Sequence, residues 1–174
     1  DGAGFSVYPS EKLAYTSAMF STISDGAVIK NINFVGNSNL FYGKGFYQSG
    51  SGYIADEIIN SKIENISFNY CNLPTEYELG NRGFIAGIIK NSVISNIKID
   101  NSIIDNEGFH QKDNPSSNKI YYNTNVGFIA GKILEGATIK NCVISNSRMD
   151  LEIIDCIAEA FNFGGIAGCI ENAS

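Results

Sequence analysis

The sequence predicts an all-β chain: a right-handed parallel β-helix (β-solenoid) of about four to five rungs, each of three short strands, with loop insertions on one side. Three observations lead there. One pattern returns along most of the 174 residues, with copies beginning at Ser17, Gly52, Gly83, Gly127 and Gly164. Within a copy, fixed apolar positions alternate with variable ones, which is the period of a strand. Finally, no stretch carries the 3.6-residue spacing of an amphipathic helix.

The first strand of each copy is read from positions three and seven. The third residue is Met19, Ile54, Ile85, Ile129 or Ile166, and the seventh is Ile23, Ile58, Ile89, Ile133 or Ile170. These are the expected inward positions. The second residue (Ala18, Tyr53, Phe84, Phe128, Gly165) and the sixth (Thr22, Glu57, Ile88, Lys132, Cys169) vary freely and are expected to face out. The fifth has inward parity yet is small, Ser21, Gly87, Gly131 or Gly168, with Asp56 the exception. A small inward residue marks a narrow interior or a bend, and Asp56 must then be displaced outward or hydrogen-bonded, since a lone buried carboxylate is costly.

The second half of each copy centres on an asparagine: Asn31, Asn65, Asn96 and Asn141. Apolar residues stand two before it (Ile29, Ile63, Ile94, Ile139), one after (Ile32, Ile66, Ile97, Cys142) and three after (Phe34, Phe68, Ile99, Ile144). The step of three across the Asn breaks strand parity, so the chain turns there. Asn tolerates the left-handed backbone that a tight corner needs, and stacked copies place the four amides in a ladder. A third short strand follows at Leu73, Ile104 and Met149, with Leu40 one place later in the first copy.

Variable material enters after the third strand, at Phe41 to Ser51, Pro74 to Arg82, Asp105 to Val126 and Asp150 to Phe163. Entry at one phase of the repeat sends all four insertions out on one side. Aromatic residues concentrate in them, and Phe41, Tyr42, Phe46, Tyr47, Tyr121 and Tyr122 are the candidate binding residues. Tyr and Phe among Gly, Ser and Asn offer large contact area with adaptable hydrogen bonds. The competing reading is that the same rings pack over the flank and shield the core. Asp1 to Thr16 is expected to cap the first rung through Phe5, Val7, Tyr8 and Leu13. The 174 residues form one domain in this reading. The end at Glu-Asn-Ala-Ser, inside a copy, suggests a piece of a larger parent chain.

Composition narrows the partners. A net charge of −6 and a pI near 4.7 argue against the basic surface that nucleic acid or an anionic membrane requires. No run of about 20 apolar residues is present, so no membrane insertion is expected. Cys71, Cys142, Cys156 and Cys169 include no Cys-x-x-Cys and have no His nearby. Zinc and other cofactors are therefore not expected, and Cys142 reads as a small buried hydrophobe.

The best copies, Gly83-Phe84-Ile85-Ala86-Gly87 and Gly127-Phe128-Ile129-Ala130-Gly131, together with Gly136-Ala137-Thr138-Ile139-Lys140-Asn141 and Gly26-Ala27-Val28-Ile29-Lys30-Asn31, resemble the GLUG motif of bacterial surface and secreted proteins. The likeness covers the chain apart from Asp1 to Thr16 and the insertions. The first copy lacks the glycines and the second ends in Asp56. The resemblance implies a repeat domain of an adhesin-like protein, extracellular or on the cell surface. GLUG repeats also occur in the N-terminal regions of immunoglobulin A peptidases. No catalytic residue travels with the motif.

A parallel β-helix also carries polysaccharide lyases and hydrolases, whose chemistry needs acidic clusters or an activated nucleophile. The nearest cluster is Asp105, Glu107 and Asp113 with His110, in the longest insertion. It is sparse and reads as a solvated loop. No Gly-x-Ser-x-Gly elbow supports His110, the single histidine, as part of a nucleophile pair. The function expected is therefore non-enzymatic: scaffold and binding face for a host protein or glycan. The alternatives are a substrate-holding spacer beside a secreted protease, and a degenerate polysaccharide-degrading β-helix.

Overall fold

In a computed structural model, residues 6–7, 15–16, 18–36, 47–48, 52–74, 80–105, 124–150 and 161–173 are described; at 6–7, 15–16, 47–48, 74 and 161 the description covers the backbone alone. Among these residues there is no helix, and every strand pairing is parallel. Each strand lies beside its counterpart one repeat away, as identical short patterns must if each is to bury its apolar face against the next.

The first strands of the repeat, β3 (Phe20–Ile23), β6 (Ala55–Ile59), β10 (Ala86–Lys90), β14 (Ala130–Ile133) and β19 (Ala167–Ile170), form one sheet in the order β19-β14-β10-β6-β3. Ile58, Ile89 and Ile133 stack in register within it. The strands that follow, β4 (Val28–Val35), β7 (Lys62–Asn69), β11 (Val93–Asp100), β15 (Thr138–Lys140) and β16 (Val143–Ser145), form the second sheet. The expected third strands are β8 (Asn72–Pro74), β12 (Ile103–Asp105) and β17 (Arg148–Asp150).

The asparagine corners hold. Asn31, Asn65, Asn96 and Asn141 have φ between 53 and 60°, and pairing runs in register on both sides of them. The amide of Asn65 donates to Asn31 at 3.0 Å, that of Asn96 to Asn65 at 3.0 Å and that of Asn141 to Asn96 at 3.2 Å. In the first three copies one strand continues through the kink, and both Ile63 and Ile66, on either side of Asn65, are buried. A left-handed residue rotates the next side chain by one place, so the three-residue step keeps both neighbours in the core.

Two further corners recur in the repeat; Asn-Ser pairs form four of these turns, while Asp25-Gly26, Tyr70-Cys71 and Gly136 stand at others. Asn60, Asn91, Asn101 and Asn146 are also left-handed. The hydroxyl of each following serine donates to the carbonyl two residues back: Ser61 to Ile59 at 2.9 Å, Ser92 to Lys90 at 2.7 Å, Ser102 to Asp100 at 2.8 Å and Ser147 to Ser145 at 2.7 Å. The same hydroxyl accepts the backbone N–H of the preceding repeat's corner, Ser61 to Ser92 at 3.0 Å and Ser102 to Ser147 at 3.0 Å. Cys71 takes the serine's place at one corner, its N–H donating to Ser102 at 3.1 Å. The buried backbone N–H groups of these turns are thereby satisfied by side chains.

Three expectations need correction. The second residue of each copy was expected to face out, but Phe84 and Phe128 are buried and Tyr53 is half-buried, its hydroxyl donating to the Asn72 carbonyl. Residues two and three lie in a bend before the strand begins, so strand alternation does not govern them and both side chains turn inward. Tyr53, Phe84 and Phe128 stack at 5.5 and 6.1 Å, and this column meets Phe34 and Phe68, themselves stacked at 4.8 Å, edge to face. That geometry suits the ring quadrupoles.

The repeat also has a fourth short strand. β9 (Asn81–Arg82), β13 (Thr124–Gly127) and β18 (Phe161–Gly164) form a separate parallel sheet, so the ends assigned to three insertions belong to the repeat. Their own amide ladder runs from Asn125 to Asn81 and from Asn162 to Asn125, both 2.8 Å. This sheet explains the small fifth position. A Cβ on Gly131 would stand 2.2 Å from the Arg82 nitrogen, and one on Gly168 2.4 Å from that of Val126. Two backbones meet there with no room for a side chain. Asp56, the exception, is half-buried and is not without a partner.

Inward positions are also not equally covered along the stack. Ile54, Ile85 and Ile129 are fully buried, whereas Met19 and Ile166, in the first and last copies, are 49% and 37% exposed. Ile170 and Cys142 are likewise more open than expected. Among the described strands, β3 pairs with β6 alone, β19 with β14 alone, and β15 and β16 with β11 alone. At the start, β1 (Ser6–Val7) adds to β4, pairing Ser6 with Asn33 and Val7 with Phe34, while β2 (Tyr15–Thr16) pairs with β5 (Tyr47–Gln48). Phe5, Tyr8 and Leu13 of the expected cap, and Leu40, lie outside the described residues.

Asn96→Ala removes two amide bonds and puts a Cβ-bearing residue of low left-handed tolerance at the kink. It should cost about 2–3 kcal/mol in urea unfolding, and Asn96→Gly about half as much. Equal stability of Asn96→Ala and wild type would show the ladder to be decorative. Phe84→Ala, at the junction of the two ring columns, should lose about 3–5 kcal/mol by the same measurement.

Candidate functional site

Of the sequence-derived binding residues, Phe41, Tyr42, Phe46, Tyr121 and Tyr122 lie outside the described residues. Tyr47 is placed in β5, beside Tyr15, by its backbone. The four corner asparagines are where the sequence put them. Asp105, read as part of an acidic loop cluster, is instead a strand residue of β12, buried and paired in register with Pro74 and Asp150. Its proposed companions Glu107, His110 and Asp113 lie outside the described residues. No group of three or more His, Cys, Asp or Glu converges among the described residues.

The structure also shows an open surface groove among the described residues. A groove of about 340 Å³ runs along the corner between the second and third sheets, lined by Tyr70, Asn101, Ser102, Ile103, Asn146, Ser147 and Arg148. These residues come from three successive copies. At this corner the first copy has Gly36, whose N–H bonds the Asn69 carbonyl at 2.8 Å, and the next three have Tyr70, Asn101 and Asn146. Tyr70 adopts φ 54°, beside 48° and 49° for the two asparagines. A left-handed tyrosine is uncommon and costs backbone energy.

Hydrogen bonds fix the floor. Asn101 donates its amide to Asn69 at 3.3 Å, and Asn146 donates to Asp100 at 3.0 Å. The Ser145 hydroxyl donates to the same Asp100 oxygen at 2.9 Å, and Lys98 stands 3.7 Å from the other oxygen. The Ser145 hydroxyl first, then the Asn146 amide, hold the Asp100 carboxyl below its usual range. Arg148 projects from the rim, its side chain 62% exposed, with Asp150 at 3.7 Å. That separation is an ion pair beyond hydrogen-bond length. The signal for this site was present in the sequence as Tyr70-Cys71 standing where the other copies have Asn101-Ser102 and Asn146-Ser147.

The cysteines divide by environment. Cys71, Cys142 and Cys169 are free thiols. Burial pushes the Cys71 thiol from its ordinary 9.0 up to about 12, which suits a structural group and not a nucleophile. Cys142 and Cys169 are also raised, again by burial first.

Comparison with protein-family models, with curated proteins and with solved structures finds no match.

Because the folded Cys71 thiol titrates above its unfolded value, the stability it contributes is complete below about pH 9 and is lost as pH rises toward 12. Alkylation at pH 8 should therefore label Cys169 while Cys71 reacts only as fast as the chain opens, as read by mass spectrometry. Simultaneous labelling of the two would contradict the buried placement of Cys71.

Proposed function

We propose that this chain is a GLUG-type β-solenoid, a right-handed parallel β-helix of about four to five rungs, acting as a non-enzymatic scaffold of a bacterial surface or secreted protein. It extends a larger parent chain and presents a binding face to a host protein or glycan outside the cell. The right hand follows from the strong bias of parallel crossovers. The stacked registers, with every first strand beside the next copy's first strand and every corner asparagine above its counterpart, support the solenoid reading.

The observation that carries the binding role is the placement of the departures from the repeat. Residues 75–79, 106–123 and 151–160 each connect a strand of the β8-β12-β17 sheet to one of the β9-β13-β18 sheet. The repeat thus leaves one phase open to variation, as in scaffolds that carry recognition residues. Tyr121 and Tyr122 fall in the longest of these segments.

The test is binding of the chain to arrays of glycans and purified host surface proteins, with a Tyr121→Ala, Tyr122→Ala double variant alongside. Loss of about tenfold or more in affinity is expected from two rings at a contact. A double variant that binds every partner like wild type would move the binding face elsewhere. Release of reducing ends from a polysaccharide panel, abolished in His110→Ala, would replace the proposal with the degradative reading.

A further inference from the structure

We propose that the edge formed by β15 and β16 binds an extended strand of a partner polypeptide, pairing in parallel, with an asparagine flanked by apolar residues two before, one after and three after it. The inference goes beyond the binding face at the insertions and does not depend on it.

The edge is open where the strands beside it are covered. β7 and β11 each lie between two neighbours, but β15 and β16 pair with β11 alone among the described strands. Ile94, Ile97 and Ile99 of β11 are buried, whereas Ile139, Cys142 and Ile144, at the same places in the edge, are half-buried. Lys140 and Asn141 are exposed, as is Val143 at 57%. Regular pairing also breaks here: β4, β7 and β11 each run eight residues through the asparagine kink, while β15 and β16 have three residues each and leave Asn141 and Cys142 between them. A strand laid along the outer side supplies the missing neighbour.

The asparagine ladder says which strand fits. Each amide donates to the carbonyl oxygen of the copy before, and the series ends at Asn141, which donates to Asn96 at 3.2 Å. Among the described residues nothing donates to the Asn141 amide oxygen. An Asn at the same corner of an added strand offers that oxygen an N–H, and a carboxylate there offers none. The same Asn accepts the left-handed backbone that all four corners share. The half-buried row then calls for apolar side chains at the ladder's fixed offsets, since a slip of one residue would turn them away from the core.

The opposite edge of this sheet already carries a strand from outside the repeat. There β1, which precedes the first copy, pairs in parallel with β4 just past its kink, Ser6 with Asn33 and Val7 with Phe34. The register that Asn33 and Phe34 present is carried through Ser67 and Phe68, then Lys98 and Ile99, to Val143 and Ile144 at the open edge. Addition of a separate strand is thus a mode of pairing that the sheet uses at one side and leaves available at the other.

The test titrates the whole chain into a fluorescent peptide with the sequence of residues 92–102, which holds the pattern around Asn96. Anisotropy should saturate at one peptide per chain, and hydrogen exchange read by mass spectrometry should slow at residues 138–145. Asn96→Asp in the peptide should weaken binding by about tenfold or more, because one N–H is lost and two acceptors are set face to face. A peptide with Ser95 and Asn96 exchanged keeps the composition, breaks the offsets and should not bind. Absence of saturable binding, equal affinity of the Asn96→Asp peptide, or protection elsewhere than residues 138–145 overturns the proposal. A chain that sediments as a dimer or longer, with residues 138–145 already protected and the peptide without effect, would give the edge to a second copy and overturn the partner assignment. None of these outcomes bears on Tyr121 and Tyr122, whose partners the arrays test separately.

Discussion

Everything in this chain depends on left-handed corners that can be stacked. A parallel repeat must turn at the same residue in every copy, and the turn must leave no buried backbone group unsatisfied. Asparagine meets both demands, since it accepts a positive φ and its amide spans the distance between neighbouring copies. Asp25 and Tyr70 are the only non-glycine, left-handed residues among those described that are not asparagine. The Asn-Ser corners extend the device, because the serine hydroxyl closes its own turn while accepting an N–H from the copy before. Adjacent copies therefore share hydrogen bonds at every corner, and the copies cannot shift past one another without breaking several at once.

Between the corners, side-chain size decides which surfaces meet. A Cβ on Gly83 would lie 2.3 Å from the Ala130 Cα, and one on Gly127 2.3 Å from that of Ala167. The Gly-x-x-Ala spacing of the copies is thus a contact between one copy and the next, small against small. Opposite this, the bend admits two large residues at once, and the stacked rings of Tyr53, Phe84 and Phe128 fill the space beside the isoleucine rows. Burial of each such side chain contributes about 1.5–3 kcal/mol, and Met19 and Ile166, which stay partly exposed, gain less of it.

A scaffold this regular makes its irregularities informative. Ladder positions are under the same constraint in every copy, so a residue that departs from the ladder while bearing its cost stands out without reference to any other protein. Tyr70 departs in that sense at an exposed corner, and Cys71 beside it departs at a buried one, where a thiol can still take the serine's acceptor contacts. The first lines a groove whose rim carries Arg148, ion-paired to Asp150. The second stays within the fold's own hydrogen bonding.

Much of this was legible in the sequence. The copies, the inward isoleucines of strands one and two, the asparagine kink and the third strand all follow from spacing, because a residue inside a regular strand has its direction set by parity alone. Tertiary structure decided what parity does not reach. Phe84 and Phe128 turn inward because they sit in a bend, the β9-β13-β18 strands exist because another sheet lies against them, and Gly131 is small because of a backbone from a different copy. The groove at Tyr70 belongs to the same class. Its residues come from three successive copies, and only stacking brings an aromatic ring, two amides and an arginine to one corner.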